Sequence, residues 1–348
     1  LLQVKMIIPN NAEKSDLFFH SKRGERLHLR ISIPDCEISE IKAILFFFHG
    51  YGAHSNSPAK IQFLESMKSK RIVVVMPDLL GHGYSEGERA HVDDWNDWIN
   101  DQMDLIKLIC SGENSAEEEG KYFLGLTTDH LLQFSKLPFF VSGESLGGAQ
   151  SIVLGLKLQK LKDEEDENWQ KISSNFRGMA LIAPAVRGNP PPKVVIFLLR
   201  YMIVPFVPKY KIPAILEAVN FPEKIWLKEE DREACINDNW GTTPKSLGWS
   251  DRMRFKMGLN MNDLVLHVQS SLNLIKFPYL IIHDPEDAIV NFSGTRDLHE
   301  QAQTSNDSFK SREIVEFEGG LHDILTNFPQ KVIDYFEVWI NLRLESEK

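Results

Sequence analysis

The chain has 348 residues, 43% of them hydrophobic and 25% charged, which suits a soluble globular protein built as one α/β domain with an insertion or as two domains. Its net charge of -10 argues against nucleic acid as a partner and gives no charge-based attraction to anionic lipid. Three cysteines (Cys36, Cys110, Cys235) are odd in number and widely spaced, so neither a disulfide framework nor a metal-ligand spacing can be built, and a reducing, cytoplasmic compartment is expected.

Leu17 to Ile33 reads as a hairpin, with Ser21-Lys22-Arg23-Gly24-Glu25 as the turn and Leu27, Leu29, Ile31 and Ile33 alternating with polar residues. Ala43 to Phe48 is an unbroken apolar run of strand length, the pattern of a strand buried on both faces of a parallel sheet. It ends in the loop His49-Gly50-Tyr51-Gly52. A helix is expected over Ile61 to Lys70, and a second buried strand over Ile72 to Met76 leads into Asp78 and Gly81-His82-Gly83-Tyr84-Ser85. Trp95, Trp98, Ile99, Met103, Ile106 and Ile109 form the apolar side of an amphipathic helix. The acidic stretches Ser111 to Lys136 (with Glu117-Glu118-Glu119) and Lys162 to Trp169 read as surface insertions, because charge runs are usually solvated.

Phe139 to Gly143 is another short apolar run, and Ala149, Ile152, Val153 and Leu156 fall on one face of a helix. Gly143-Glu144-Ser145-Leu146-Gly147 therefore sits where a strand turns sharply into a helix, the context of a nucleophile elbow. Ser145 stands at the tip, and the Leu146 backbone N–H beside it can stabilise an oxyanion. The alternative is a Gly/Ser turn that fits the pattern by chance. Strand–helix alternation implies crossover connections, hence an α/β fold with a mostly parallel central sheet flanked by helices. Ligands in such sheets bind beyond the strands' carboxyl ends.

After a strand at Gly178 to Ala183 the pattern changes. Asn189 to about Met257 holds proline pairs, no clear strand, and an apolar block from Val194 to Val207 too short and interrupted to span a bilayer. The block reads as the core of an inserted cap, or as a lid that lines an acyl site or rests on a membrane surface; a lining role is favoured, since ligand pockets are mostly apolar. The sheet resumes at Tyr279 to His283, followed by Asp284-Pro285-Glu286-Asp287, a helix over Ser293 to Gln303, and a last strand at Glu313 to Phe317. Gly319-Gly320-Leu321-His322 follows it, and Val332 to Leu344 forms a terminal helix. A serine at an elbow, an acid after a later strand and a histidine after the last strand occur in the chain order of α/β-hydrolases. Serine needs an imidazole to take its proton, and the imidazole needs a carboxylate to fix its tautomer. No metal or organic cofactor is implied.

These residues resemble the monoacylglycerol lipase and lysophospholipase-like branch of the α/β-hydrolases over about Leu17 to Leu344. The likeness is carried by Ser21-Lys22-Arg23-Gly24, His49-Gly50-Tyr51-Gly52, Asp78, Gly81-His82-Gly83-Tyr84-Ser85, Gly143 to Gly148, Ala183-Pro184, Asp287, and Gly319 with His322. It implies Ser145 as nucleophile, Asp287 as acid and His322 as base, with the backbone N–H groups of Tyr51 and Leu146 as the oxyanion hole. His49, Asp78 and His82 are implied to hold loops in shape. The implied domains are core at 1–186, a helical cap at 187–257 inserted after the sixth strand, and core again at 258–348. One departure is Asp284, a second carboxylate where that branch usually has glycine. The expected activity is hydrolysis of a monoacylglycerol or related lysolipid through an acyl-enzyme, with the apolar cap suited to peripheral membrane contact. The competing expectations are an esterase on small or phenolic esters and a hydrolase-fold receptor with little turnover.

Overall fold

The computed structural model describes residues 17–112, 122–123, 126–188, 191–213, 222–243, 245–307 and 309–346. Within them a hairpin of β1 (Leu17–His20) and β2 (Arg26–Ser32) precedes β3 (Ala43–Phe48), α1 (Pro58–Ser69), β4 (Ile72–Pro77) and α2 (Trp95–Cys110). Then come β5 (Tyr122–Phe123), α3 (Thr128–Phe134), β6 (Phe139–Glu144), α4 (Leu146–Leu161), α5 (Glu167–Ser174) and β7 (Phe176–Ile182). An excursion away from the sheet carries α6 (Lys193–Leu198) and α7 (Glu229–Asn237), and α8 (Phe255–Ser271) leads back. The chain ends with β8 (Tyr279–His283), α9 (Ser293–Gln301), β9 (Arg312–Glu316), α10 (Ile324–Asn327) and α11 (Pro329–Glu345).

The strands form one sheet in the order β5-β1-β2-β4-β3-β6-β7-β8-β9, parallel from β4 to β9 and antiparallel through β2, β1 and β5. Alternation explains the central strands: Ile44, Phe46 and Phe48 enter one core, with Trp98, Ile152 and Leu264, whereas Ala43, Leu45 and Phe47 enter the other, with Phe63, Phe336 and Trp339. Both faces are covered by helices, so β3 must be apolar throughout. The order reverses on either side of β3, which the chain leaves toward β4 and later flanks with β6. A crevice at the carboxyl ends of β3 and β6 follows from that reversal.

Two parts of the acidic stretches are more ordered than their charge suggested. β5 adds to β1 through Phe18↔Phe123, so the excursion follows the seventh strand in chain order rather than the sixth. Helix α3 is capped by Thr127 and buries Leu131 and Phe134, a pair three residues apart that a reading of charge alone overlooks. Asp166, within its acidic run, accepts from Trp169 N and caps α5, so that charge starts a helix. Helix α1 starts at Pro58, three residues before the expected Ile61, because proline suits the first helical turn. Glu117-Glu118-Glu119 and residues 189–190, 214–221 and 244 lie outside the described residues.

In the excursion, α6 runs into a π-helical turn (Leu199–Ile203), and Arg200 pairs with Asp263 of α8 at 2.8 Å. Helix α8 belongs to the core, burying Met257, Leu264 and Val268. No helix among the described residues is long and apolar enough to cross a membrane.

Candidate active site

Ser145 sits between β6 and α4 with φ 51° and ψ -115°. Such a backbone costs on the order of 1–3 kcal/mol and persists only where the surroundings over-determine it. Here they do. Ser145 N donates to Ile182 O at 3.0 Å, and Ser145 O accepts from Ala185 N at 2.9 Å and Gly148 N at 3.0 Å. A Cβ on Gly147 would collide with the carbonyls of Phe48 and His49, and one on Gly143 with the Gly147 backbone. Glycine at both positions is what lets strand, turn and helix approach this closely.

The loop after β3 lies directly against the elbow. The position of a Cβ on Gly50 is 3.4 Å from Ser145 Cβ. His49, fully buried, accepts from Leu79 N through Nε2 (3.0 Å) and donates from Nδ1 to Gly50 O (2.8 Å). Burial, aided by the neighbouring His82, pushes its pKa down to about 3, so it stays neutral in this tautomer. Asp78 accepts from His28 Nδ1, Ser55 N and Tyr84 N. Burial alone would raise its pKa, but His28, with His49 and His54 beyond it, holds it far below the usual carboxylate range. His82 is also buried, within ring contact of His49, Tyr51 and Trp98.

The loops after β8 and β9 bring an acid to an imidazole. His322 Nδ1 donates to Asp287 Oδ2 at 2.7 Å, since an ionised carboxylate can only accept. Asp287 is fixed from three further sides, by Ile289 N (2.7 Å), Val290 N (3.0 Å) and His283 Nε2 (3.2 Å). Burial opposes its charge, but the bonds from His283 and His322 keep its pKa well below the ordinary value. Asp284 is 1% exposed, and among the described residues its carboxylate bonds to neither His283 nor His322; it accepts from Glu286 N (2.9 Å) and Leu321 N (2.8 Å), holding the loop that carries His322. For His322 burial works against protonation, yet Asp287, with Asp323 and Glu144 beyond it, holds its pKa above the usual imidazole value. Because β6, β7, β8 and β9 run parallel, the loop that carries His322 leaves the sheet at the same end as the elbow. Among the described residues the Ser145 hydroxyl makes no hydrogen bond, and the hydrogen-bonded pair at this end of the sheet is Asp287 with His322.

Some of the surrounding residues escaped the sequence. Lys60, on α1, is 4% exposed and pairs with Glu144 at 2.7 Å. Trp226 Nε1 donates to Asp323 Oδ2 at 2.8 Å, and His54 Nε2 meets Asp238 Oδ2 at 2.7 Å. Nothing in the pattern around Lys60 marks it as buried, and the other two pairs join residues 97 and 184 positions apart.

The family model described as serine aminopeptidase, S33, matches residues 39–328, from just before β3 to the end of α10. Mouse monoglyceride lipase is 22% identical over 87% of this chain and 84% of its own length. A monoacylglycerol lipase structure from Paleococcus ferrophilus superposes with a TM-score of 0.61 at 19% identity, covering 90% of this chain and 99% of that one. A soluble variant of monoglyceride lipase from Saccharomyces cerevisiae, in complex with a substrate analogue, gives 0.64 at 15% identity over 93% and 92%. The span of the family match and the arrangement of strands under the elbow agree: the chain belongs to the serine aminopeptidase S33 family of α/β-hydrolases, in its monoacylglycerol lipase-like branch.

Proposed function

We propose that Ser145, His322 and Asp287 are the nucleophile, general base and orienting acid of a serine hydrolase whose substrate is a monoacylglycerol. The observation that carries the reading is the 2.7 Å Asp287–His322 bond at the sheet end where the strained elbow presents Ser145. In this scheme His322 Nε2 takes the hydroxyl proton as Oγ attacks the ester carbonyl. The N–H groups of Tyr51 and Leu146 receive the charge that develops on the carbonyl oxygen. The proton passes to the departing glycerol oxygen, leaving an acyl-serine. Water, deprotonated by the same imidazole, then releases the fatty acid and restores Ser145.

The acyl preference is argued from residues 187–257, which we read as a lid over the cores 1–186 and 258–348. Val194, Phe197, Leu198, Tyr201 and Met202 recur at i, i+3, i+4, i+7 and i+8, and each is 46–63% exposed, while Val204 is buried. Of the two lid roles, lining an acyl site or resting on a membrane surface, an exposed stripe of that kind supports the second. It suits contact with a lipid surface from which a single-chain ester is drawn. The names of the mouse and yeast relatives support the same substrate class.

A fluorophosphonate probe tests the assignment. It is expected to label one site in the native protein and none in a folded Ser145→Ala variant; labelling that persists in that variant removes Ser145 from the role.

A further inference from the structure

Lys60 and Glu144 form a buried ion pair that the acyl-transfer scheme does not use. Glu144 is the middle residue of Gly143-Glu144-Ser145, and its side chain reaches the loop after β3. One oxygen, Oε1, accepts both from Lys60 Nζ (2.7 Å) and from the backbone N of Gly50 (3.2 Å). The carboxylate is 13% exposed and the ammonium 5%. A buried charge pair is seldom a net source of stability, because desolvation consumes most of its Coulombic gain. Its geometry deserves a functional explanation instead.

That explanation lies in the two peptide units flanking Gly50. The N–H of the unit joining His49 to Gly50 is fixed by Glu144. The carbonyl of the unit joining Gly50 to Tyr51 is fixed by His49 Nδ1 (2.8 Å) and Ala53 N (3.2 Å). In a trans peptide the C=O and the N–H point in opposite directions. Anchoring the Gly50 carbonyl therefore aims the Tyr51 N–H the other way, and anchoring Gly50 N stops the pair of peptides from rotating together. Glu144 directly precedes Ser145, so the oxyanion donor is indexed to the nucleophile through a single side chain. Lys60 holds that side chain in place, and Glu144, with Asp323 and Asp78 within reach, favours the ammonium over the burial that opposes it.

We propose that Lys60 and Glu144 are positioning residues that lock the Tyr51 N–H to the nucleophile elbow for the tetrahedral transition state. The proposal rests on the hydrolase reading of Ser145. It predicts a loss in transition-state binding that leaves ground-state binding alone.

The experiment compares native protein, Lys60→Met, Glu144→Gln and the double variant, each normalised to Ser145 sites titrated with a fluorophosphonate. For a soluble aryl ester, Lys60→Met is expected to lower kcat by about 10–100-fold, the scale of a misplaced oxyanion donor, with KM within about threefold. Inhibition by a trifluoromethyl ketone, whose hemiketal oxyanion occupies the same hole, should weaken by the same factor. The double variant should recover part of the loss, because it no longer buries an unpaired carboxylate. Unchanged kcat per titrated site, with only a lower melting temperature, overturns the positioning role and makes the pair structural. Loss of kcat without weaker ketone binding overturns it too. If the native protein takes up probe elsewhere than Ser145, the hydrolase reading itself falls and this proposal goes with it.

Discussion

Asp284 and Asp287 stand three positions apart, and their surroundings give them different work. Asp287 meets His322 Nδ1, while Asp284 meets only backbone N–H groups. Asp287→Asn is expected to lower kcat by about 10⁴-fold, because the wrong tautomer of His322 is then favoured. Asp284→Asn is expected to cost about tenfold at most, since its amide oxygen can still accept from Leu321 N. Steady-state kinetics of the two variants check this, and a dead Asp284 variant beside an active Asp287 variant reverses the assignment. The pH profile follows from the same pair. His322 must be neutral to act as base, and its pKa lies above the ordinary 6.5. The acid limb of kcat/KM is therefore expected above pH 6.5, with activity falling as pH drops through it. Asp323→Asn, which removes one charge that favours the imidazolium, should move that limb downward. At this scale the sequence marked the loops at strand ends: Ser145 directly follows β6, and Asp287 and His322 lie in the loops after β8 and β9. It hid Lys60 and Asp323, whose importance depends on burial and on partners distant along the chain.

Elements were most legible where one periodicity governs them. The strands β3, β4 and β8 are buried on both faces and were readable to within a residue, because a doubly covered sheet favours an almost unbroken apolar run. Helix α3 and strand β5 were not, since two buried side chains and a two-residue pairing are too weak a pattern inside an acidic stretch. The elbow makes a sharper claim. A methyl group at residue 147 has no room against β3, so Gly147→Ala should destabilise the protein by about 1–3 kcal/mol, the usual range for overpacking. Chemical denaturation reads this, and the surviving folded fraction should also react more slowly with a fluorophosphonate. An unchanged midpoint and labelling rate would contradict the tight approach. The apolar block of α6 was visible in the sequence, but which side of it faces outward was not. Leu198→Asp is expected to weaken sedimentation with neutral phosphatidylcholine vesicles several-fold while leaving hydrolysis of a soluble butyryl ester within about twofold. Equal loss of both activities would mean that the stripe packs within the protein.

Over the whole molecule, the segment between β7 and α8 is fastened to the two loops that matter for chemistry. Trp226 bonds to Asp323 beside His322, and Leu227 N donates to Asn327 Oδ1 at 2.9 Å. On the other side Asp238 meets His54, and Trp249 N donates to Gly52 O at 2.8 Å. Each such bond contributes about 1 kcal/mol, so cutting two should raise local opening by roughly 5–30-fold. The Trp226→Phe, His54→Leu double variant, in which neither partner can make its bond, is therefore expected to be cleaved faster by trypsin within 187–254, with little change in global melting temperature. A proportional fall in melting temperature would mean that the segment unfolds only together with the sheet. The excursion was legible as a change of pattern after Ala183, whereas these ties were not, because no local signal records a contact across the fold. The central claim is that this scaffold cleaves single-chain acyl glycerols at Ser145. Its most direct measurement is fatty-acid release from monooleoylglycerol, beside an acetyl aryl ester and a hydroxycinnamoyl ester, by the native protein and by Ser145→Ala. The account predicts the highest kcat/KM for monooleoylglycerol and a fall in kcat of about 10⁶-fold in the variant. Preference for either small ester, retention of monooleoylglycerol without turnover, or activity that survives in Ser145→Ala would contradict it.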